Sequence, residues 1–175
     1  MSEGWSFVNP SESFPEIDSH SLFIALLGLE FLPPHVALIH RHKLFSFSIR
    51  GVEIHDNATR VLRKIWSTRQ CALIECAALK NEGLPLNIYS MFNTLQKGAS
   101  CIDPILEIIK QEWNILPERP YLHGLLHALH ENGKLLDCNI SFSGEGKLEL
   151  RSYDRADIDK RIAELSQKRE QPDQR

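Results

Sequence analysis

The clearest polar–apolar pattern in the chain is a period of two. In Leu44–Arg50, Phe45, Phe47 and Ile49 alternate with Ser46, Ser48 and Arg50, as expected of a half-buried strand. The apolar run His35–Ile39 reads as a companion strand, joined to it by the short polar link His40-Arg41-His42-Lys43. Gly51 breaks the alternation and Val52–Ile54 continues it. Upstream, Leu22–Leu27 is predicted to be a short apolar helix, capped by Ser19 or Ser21 and stopped at Gly28. Pro33-Pro34 then forces an extended entry into His35.

Downstream the period lengthens. Asp56 or Asn57 caps a helix whose apolar face is Val61, Leu62, Ile65 and Trp66. Cys71–Leu79 is apolar throughout and is either a buried strand or a helix, because a continuous run carries no period. Gly83-Leu-Pro85 is a break, and Leu86–Leu95 reads as a helix ending near Gly98. Ser100 is expected to cap a helix over Cys101–Trp113, with Asp103 and Pro104 in its favoured first turn. Pro117 and Pro120 bracket a loop before the helix Tyr121–His130, which Asn132-Gly133 ends. Leu135–Phe142 and Lys147–Tyr153 read as a hairpin around Ser143–Gly146, where Gly144 and Gly146 suit positive φ. Asp154–Lys168 is predicted to be a solvated amphipathic helix with Ile158, Ile162 and Leu165 as its stripe. These elements define an α+β fold: a small mixed or antiparallel sheet flanked by helices, closed by a C-terminal β-hairpin plus helix. The expected organisation is a flexible arm over 1–19, one domain over 20–168 and a charged tail over 169–175.

Composition narrows the function classes. The 175 residues are 42% hydrophobic and 25% charged, ordinary for a soluble globular domain with its own core. The net charge of −3 argues against a nucleic-acid partner, which a basic surplus would favour. No run approaches the roughly 18 apolar residues of a membrane span. The start Met1-Ser-Glu-Gly-Trp-Ser shows no secretory leader. The four cysteines, Cys71, Cys76, Cys101 and Cys138, are too scattered for a secreted disulfide framework. A cytoplasmic protein is expected, or an effector exported without a cleavable signal.

Two residues stand where thiol chemistry needs them. Cys101 falls at a predicted helix N-terminus, which lowers a thiol pKa and offers backbone N–H groups to an oxyanion, and His35 opens a strand from which an imidazole could act as base. The order of landmarks is His35-Val-Ala-Leu-Ile39, Leu44–Ser48, Gly51-Val-Glu-Ile54, Ala58–Trp66, Ala72–Glu75, Gly83-Leu-Pro85 and Cys101–Trp113. This order resembles that of the circularly permuted papain-like proteins, the NlpC-like and lecithin:retinol-acyltransferase-like group, over about residues 35–115. The resemblance implies a thiol-dependent hydrolase or acyltransferase acting on amide or ester bonds, active or catalytically degenerate. Cys101 would be the nucleophile, His35 the base, and Ser46 would take the place of the polar residue that orients the histidine. The chain lacks the Gly-Asp strand common before that histidine and follows its cysteine with Ile102-Asp103-Pro104 instead of the usual small or acidic residue and aliphatic pair. Without the resemblance, Cys101 and His35 read equally as packing residues, since free cysteine is often buried.

Other constellations carry less. His123, His127 and His130 share one face of their helix at i, i+4 and i+7, a spacing open to transition metals, with Cys138 downstream. A polar helix face explains them as well, no His-Glu-x-x-His pattern is present, and no metal or other cofactor is assigned. Residues 85–153 also follow the order of a winged helix: three helices, then a hairpin. The helix in the recognition position offers leucines and histidines in place of base-reading side chains, so that alternative predicts a protein-interaction module of adaptor or chaperone type before a DNA reader. Trp5, Trp66 and Trp113 read as packing residues, and Lys160-Arg161 and Lys168-Arg169, interspersed with acids, as a solvated face. The expected partner is therefore a protein, or an acylated or peptide substrate. The oligomeric state is left open.

Overall fold

The computed structural model describes residues 5–93, 98–143 and 145–170. The strands are β1 (Trp5–Val8), β2 (Leu22–Leu27), β3 (His35–His40), β4 (Lys43–Ser48), β5 (Gly51–His55), β6 (Cys71–Cys76), β7 (Leu135–Ile140) and β8 (Lys147–Leu150). The helices are α1 (Ala58–Trp66), α2 (Leu84–Tyr89), α3 (Asp103–Trp113), α4 (Leu122–Glu131) and α5 (Arg155–Glu170). Six strands form one antiparallel sheet in the order β5-β4-β3-β2-β6-β7, and β1 pairs with β8 in a separate two-stranded sheet. The fold is α+β, with a helix following the last strand.

Alternation along the central strands divides the core. Leu22, Ile24, Leu26, Val36, Leu38, Phe45 and Phe47 belong to one cluster, shared with α2, α3, α4 and Ile158 of α5. Phe23, Ala25, Ala37, Ile39 and Leu44 face the other way, under α1, Phe14 and Ile17. The sheet is thus covered on both faces.

Three expectations change and one open alternative is settled, that of Cys71–Leu79. Leu22–Leu27 is the strand β2 at the sheet's centre, not a helix. A six-residue helix would leave most of its terminal N–H and C=O groups unpaired, whereas a strand between β3 and β6 satisfies them. Cys71–Cys76 is likewise a strand with both faces buried, which is why neither run shows a period. The stretch read as a loose arm is built into the fold from Trp5 onward: β1 pairs Trp5 with Leu150, Ser11 bridges to Asn139, and Ile17 is buried. Finally, β7 and β8 follow one another but do not pair together. β7 joins β6 in the main sheet while β8 joins β1, so no wing forms after α4.

Boundaries shift in smaller ways. The link after β3 is a tight turn with Arg41 and His42 both at positive φ, the conformation that suits a two-residue hairpin. Asn57 caps α1, its side chain accepting from the Arg60 N–H at 2.9 Å. α2 ends at Tyr89, short of the expected Leu95, and residues 94–97 lie outside the described residues. So do Gly144 of the expected turn and 171–175 of the expected tail, whereas Gly146 has φ 81°. Gly124 lies against the loop before α4, where a Cβ would collide with the Arg119 carbonyl. Among the described residues no helix is long and apolar enough to cross a membrane.

Candidate functional site

The site lies where β3 and β4 part. Their ladder runs from His40↔Lys43 to Ala37↔Ser46 and stops, leaving Val36 without a partner on β4. Cys101 fills that gap: the Val36 N–H donates to its Sγ at 3.4 Å. One residue before, the His35 ring bonds through Nε2 to Ser46 Oγ at 2.9 Å. His35 and Ser46 share strand parity with Ala37 and Leu44 on the α1 face, whereas Cys101 packs against the cluster on the opposite face. Thiol and imidazole therefore reach the open end of β3 from two sides. Both line one cavity, but the ring's hydrogen-bond partner is Ser46, not the thiol.

A short turn fixes Cys101. The Ser100 N–H and hydroxyl donate to the Asp103 carboxylate at 2.7 and 3.1 Å, and the Asp103 N–H donates back to the Ser100 carbonyl at 3.1 Å. α3 consequently starts at Asp103, and Cys101 precedes it instead of opening it. From α5, Arg155 donates to the Ala99 carbonyl at 3.2 Å while paired with Asp159, tying the thiol-bearing segment to the last helix.

Electrostatics leave the pair uncharged at neutral pH. Burial pushes the Cys101 thiol up to about 11; the Val36 N–H opposes this weakly, and the Asp103 carboxylate adds to it. Burial lowers the His35 pKa, offset in part by Glu53. The helix-terminus effect expected from sequence thus loses to desolvation, because the thiol is enclosed between β3 and its own turn.

The cavity has a volume of about 620 Å³. Its walls come from the start of β3, the β4–β5 turn, α1, the Cys101 turn and the inner stripe of α5. Ile158, Ile162 and Leu165, seen in the sequence as an amphipathic stripe, form its roof, with Ile158 buried in the core and Ile162 packed against it. Tyr153, at the entry to α5, also lines it, and its hydroxyl accepts from the Leu122 N–H at 3.3 Å. No local motif marks Tyr153, Arg155 or the roof, since their roles come from a segment that returns over the site late in the chain.

The histidines of α4 go to separate places. His123 is buried and its Nε2 meets Ser152 Oγ at 3.1 Å, while His127 and His130 lie edge-on to Trp5 at 4.7 and 5.3 Å between ring centroids. Cys138 is buried in β7. Among the described residues no three His, Cys, Asp or Glu side chains stand together as metal ligands.

Comparison with protein-family models, with curated proteins and with solved structures finds no match to this chain.

Proposed function

We propose that the protein is a thiol-dependent hydrolase or acyltransferase acting on ester or amide bonds, with Cys101 as nucleophile, His35 as base and Ser46 orienting the base. The observation that carries this reading is the joint placement of the three residues: Cys101 Sγ on the Val36 N–H, and the adjacent His35 held by Ser46, at the wall of a cavity large enough for a small-molecule substrate. If Nε2–H donates to Ser46, the other ring nitrogen, Nδ1, is free to accept a proton. His35 Nδ1 then takes the Cys101 proton as sulfur attacks the acyl carbon. It returns that proton to the departing alkoxide or amine as the C–O or C–N bond breaks, leaving a thioester. Water or an acceptor hydroxyl completes the cycle by releasing the acyl group. A neutral pair suits this general-base route better than a resting thiolate–imidazolium. The approach of ring and thiol belongs to the substrate complex, in which catalytic hydrogen bonds tighten.

The test is trapping of the thioester. The full chain is mixed with p-nitrophenyl acetate, quenched in acid and analysed by peptide mass spectrometry. Acetyl on Cys101 is expected in the wild type, with formation slowed roughly 100-fold or more in His35→Gln, the scale of general-base catalysis. Acetylation spread over lysines with Cys101 unmodified, or acetylation of Cys101 at equal rates in both proteins, would overturn the proposal.

A further inference from the structure

We infer that the substrate of this site is a single-chain anionic amphiphile that carries an ester or amide bond within its chain, with its apolar part under α5 and a carboxylate or phosphate head on the cations at the cavity rim. The inference rests on the thiol reading above and adds the ligand class. Two independent features carry it. First, α5 lays its apolar stripe over the site without closing the space. Phe31 and Leu27 face that stripe across the same cavity, and an apolar void of this size forfeits contacts that a packed helix would make. Second, the lining is cationic in a chain of net charge −3: five Arg and Lys side chains line the cavity against one carboxylate, Glu53. Arg69 and Arg161 are engaged with Glu30 and Glu164, and both lie over the Phe31 ring, at 5.8 and 4.4 Å from its centroid. Arg50, Lys168 and Arg169 are exposed and have no carboxylate partner among the described residues, and Arg169 donates to the Ile49 carbonyl at 3.3 Å. An apolar slot ending in cations with no carboxylate partner among the described residues is complementary to a chain with an anionic end.

Binding is measured by calorimetry on full-length Cys101→Ala, below micelle-forming concentrations, with dodecanoate, dodecyl phosphate and dodecyltrimethylammonium as probes. Both anions are expected to bind at least tenfold tighter than the cation, and more weakly as salt rises. Decanoate should bind about fourfold more weakly per methylene removed. Arg50→Gln with Lys168→Gln should weaken the anions by roughly fivefold per charge while leaving the melting temperature unchanged. Equal binding of the cation, or affinity independent of chain length, overturns the inference. No binding while Cys101 still forms a thioester overturns the ligand class alone. Binding with a Cys101 inert to ester overturns the enzymatic reading and leaves a binding pocket.

Discussion

The most direct perturbation of the site is pH, read through the reactivity of Cys101. Burial raises its pKa from 9.0 to about 11. Since only the thiolate is alkylated, roughly one molecule in a thousand is reactive at pH 8, against about one in ten for a thiol at the ordinary value, a difference of about 100-fold. Iodoacetamide labelling with mass-spectrometric site assignment, from pH 7 to 11, should show the Cys101 rate climbing about tenfold per unit toward pH 11. In urea the inflection should return to near 9. Cys76 and Cys138 are buried with thiols pushed up to about 12, above the value of about 11 at Cys101, so Cys101 labels before them. Because burial also keeps His35 neutral, His35→Gln should alter resting alkylation by no more than about twofold while slowing acyl transfer roughly 100-fold or more. That separates a general-base pair from a preformed ion pair. Labelling at pH 8 within fivefold of the unfolded chain, lost in His35→Gln, would refute the reasoning and establish a thiolate–imidazolium.

Three further outcomes follow from the structure. Ser46→Ala removes the partner of His35 Nε2 and should lower stability in urea by about 1 kcal/mol, the net worth of such a bond, with a larger proportional loss of acylation because the ring is no longer held. Gly124→Ala places a methyl on the Arg119 carbonyl and Ile74→Ala opens a hole in a fully buried strand. The first should cost about 1–3 kcal/mol by overpacking and the second about 2–5 kcal/mol by cavity formation, both read from denaturation midpoints. Stability should fall at both ends of the pH scale. Cys101 and Cys76, raised to about 11 and about 12, stabilise fully below their unfolded value of 9.0 and lose that contribution as pH climbs through the folded values. His35, His40 and His123, lowered by burial, stabilise above 6.5 and lose it as pH falls below. A melting temperature flat across both windows would contradict the burial of these groups.

Which elements could be read from sequence followed from how many faces each one buries. β4 was legible because Ser46 and Ser48 interrupt its apolar positions, and α1 because Asn57 announces it. β2 and β6 were not, since burial on both faces erases the period that separates strand from helix. The pairing of β8 with β1 was invisible for a different reason. Turn signals between 143 and 146 are local, but the partner strand lies at the other end of the chain, and a two-stranded pair needs α4 packed against Trp5 of β1 to be worth forming. At the site, the residue types and order of His35, Ser46 and Cys101 were readable, as was the stripe of α5. Its destination was not: Ile162 and Leu165 read as a solvent-helix seam until the cavity beneath them is known.

The geometry also explains why the thiol and the imidazole rest apart. Each is held by a different layer: Cys101 by the turn before α3 and by Arg155 of α5 acting on Ala99, and His35 by Ser46 on the α1 face. They meet only at the gap between β3 and β4, which is also where the cavity opens. On the proposed reading, an apolar chain entering that gap excludes water and favours the neutral form of both groups still further, so charge develops only as the proton passes from sulfur to nitrogen. The α5 roof is tied to the thiol-bearing turn at Arg155 and to the β4–β5 turn at Arg169. On the proposed reading, occupancy of the slot and alignment of Cys101 are therefore mechanically linked, and Arg155→Ala should separate them, preserving amphiphile binding while slowing acylation of Cys101.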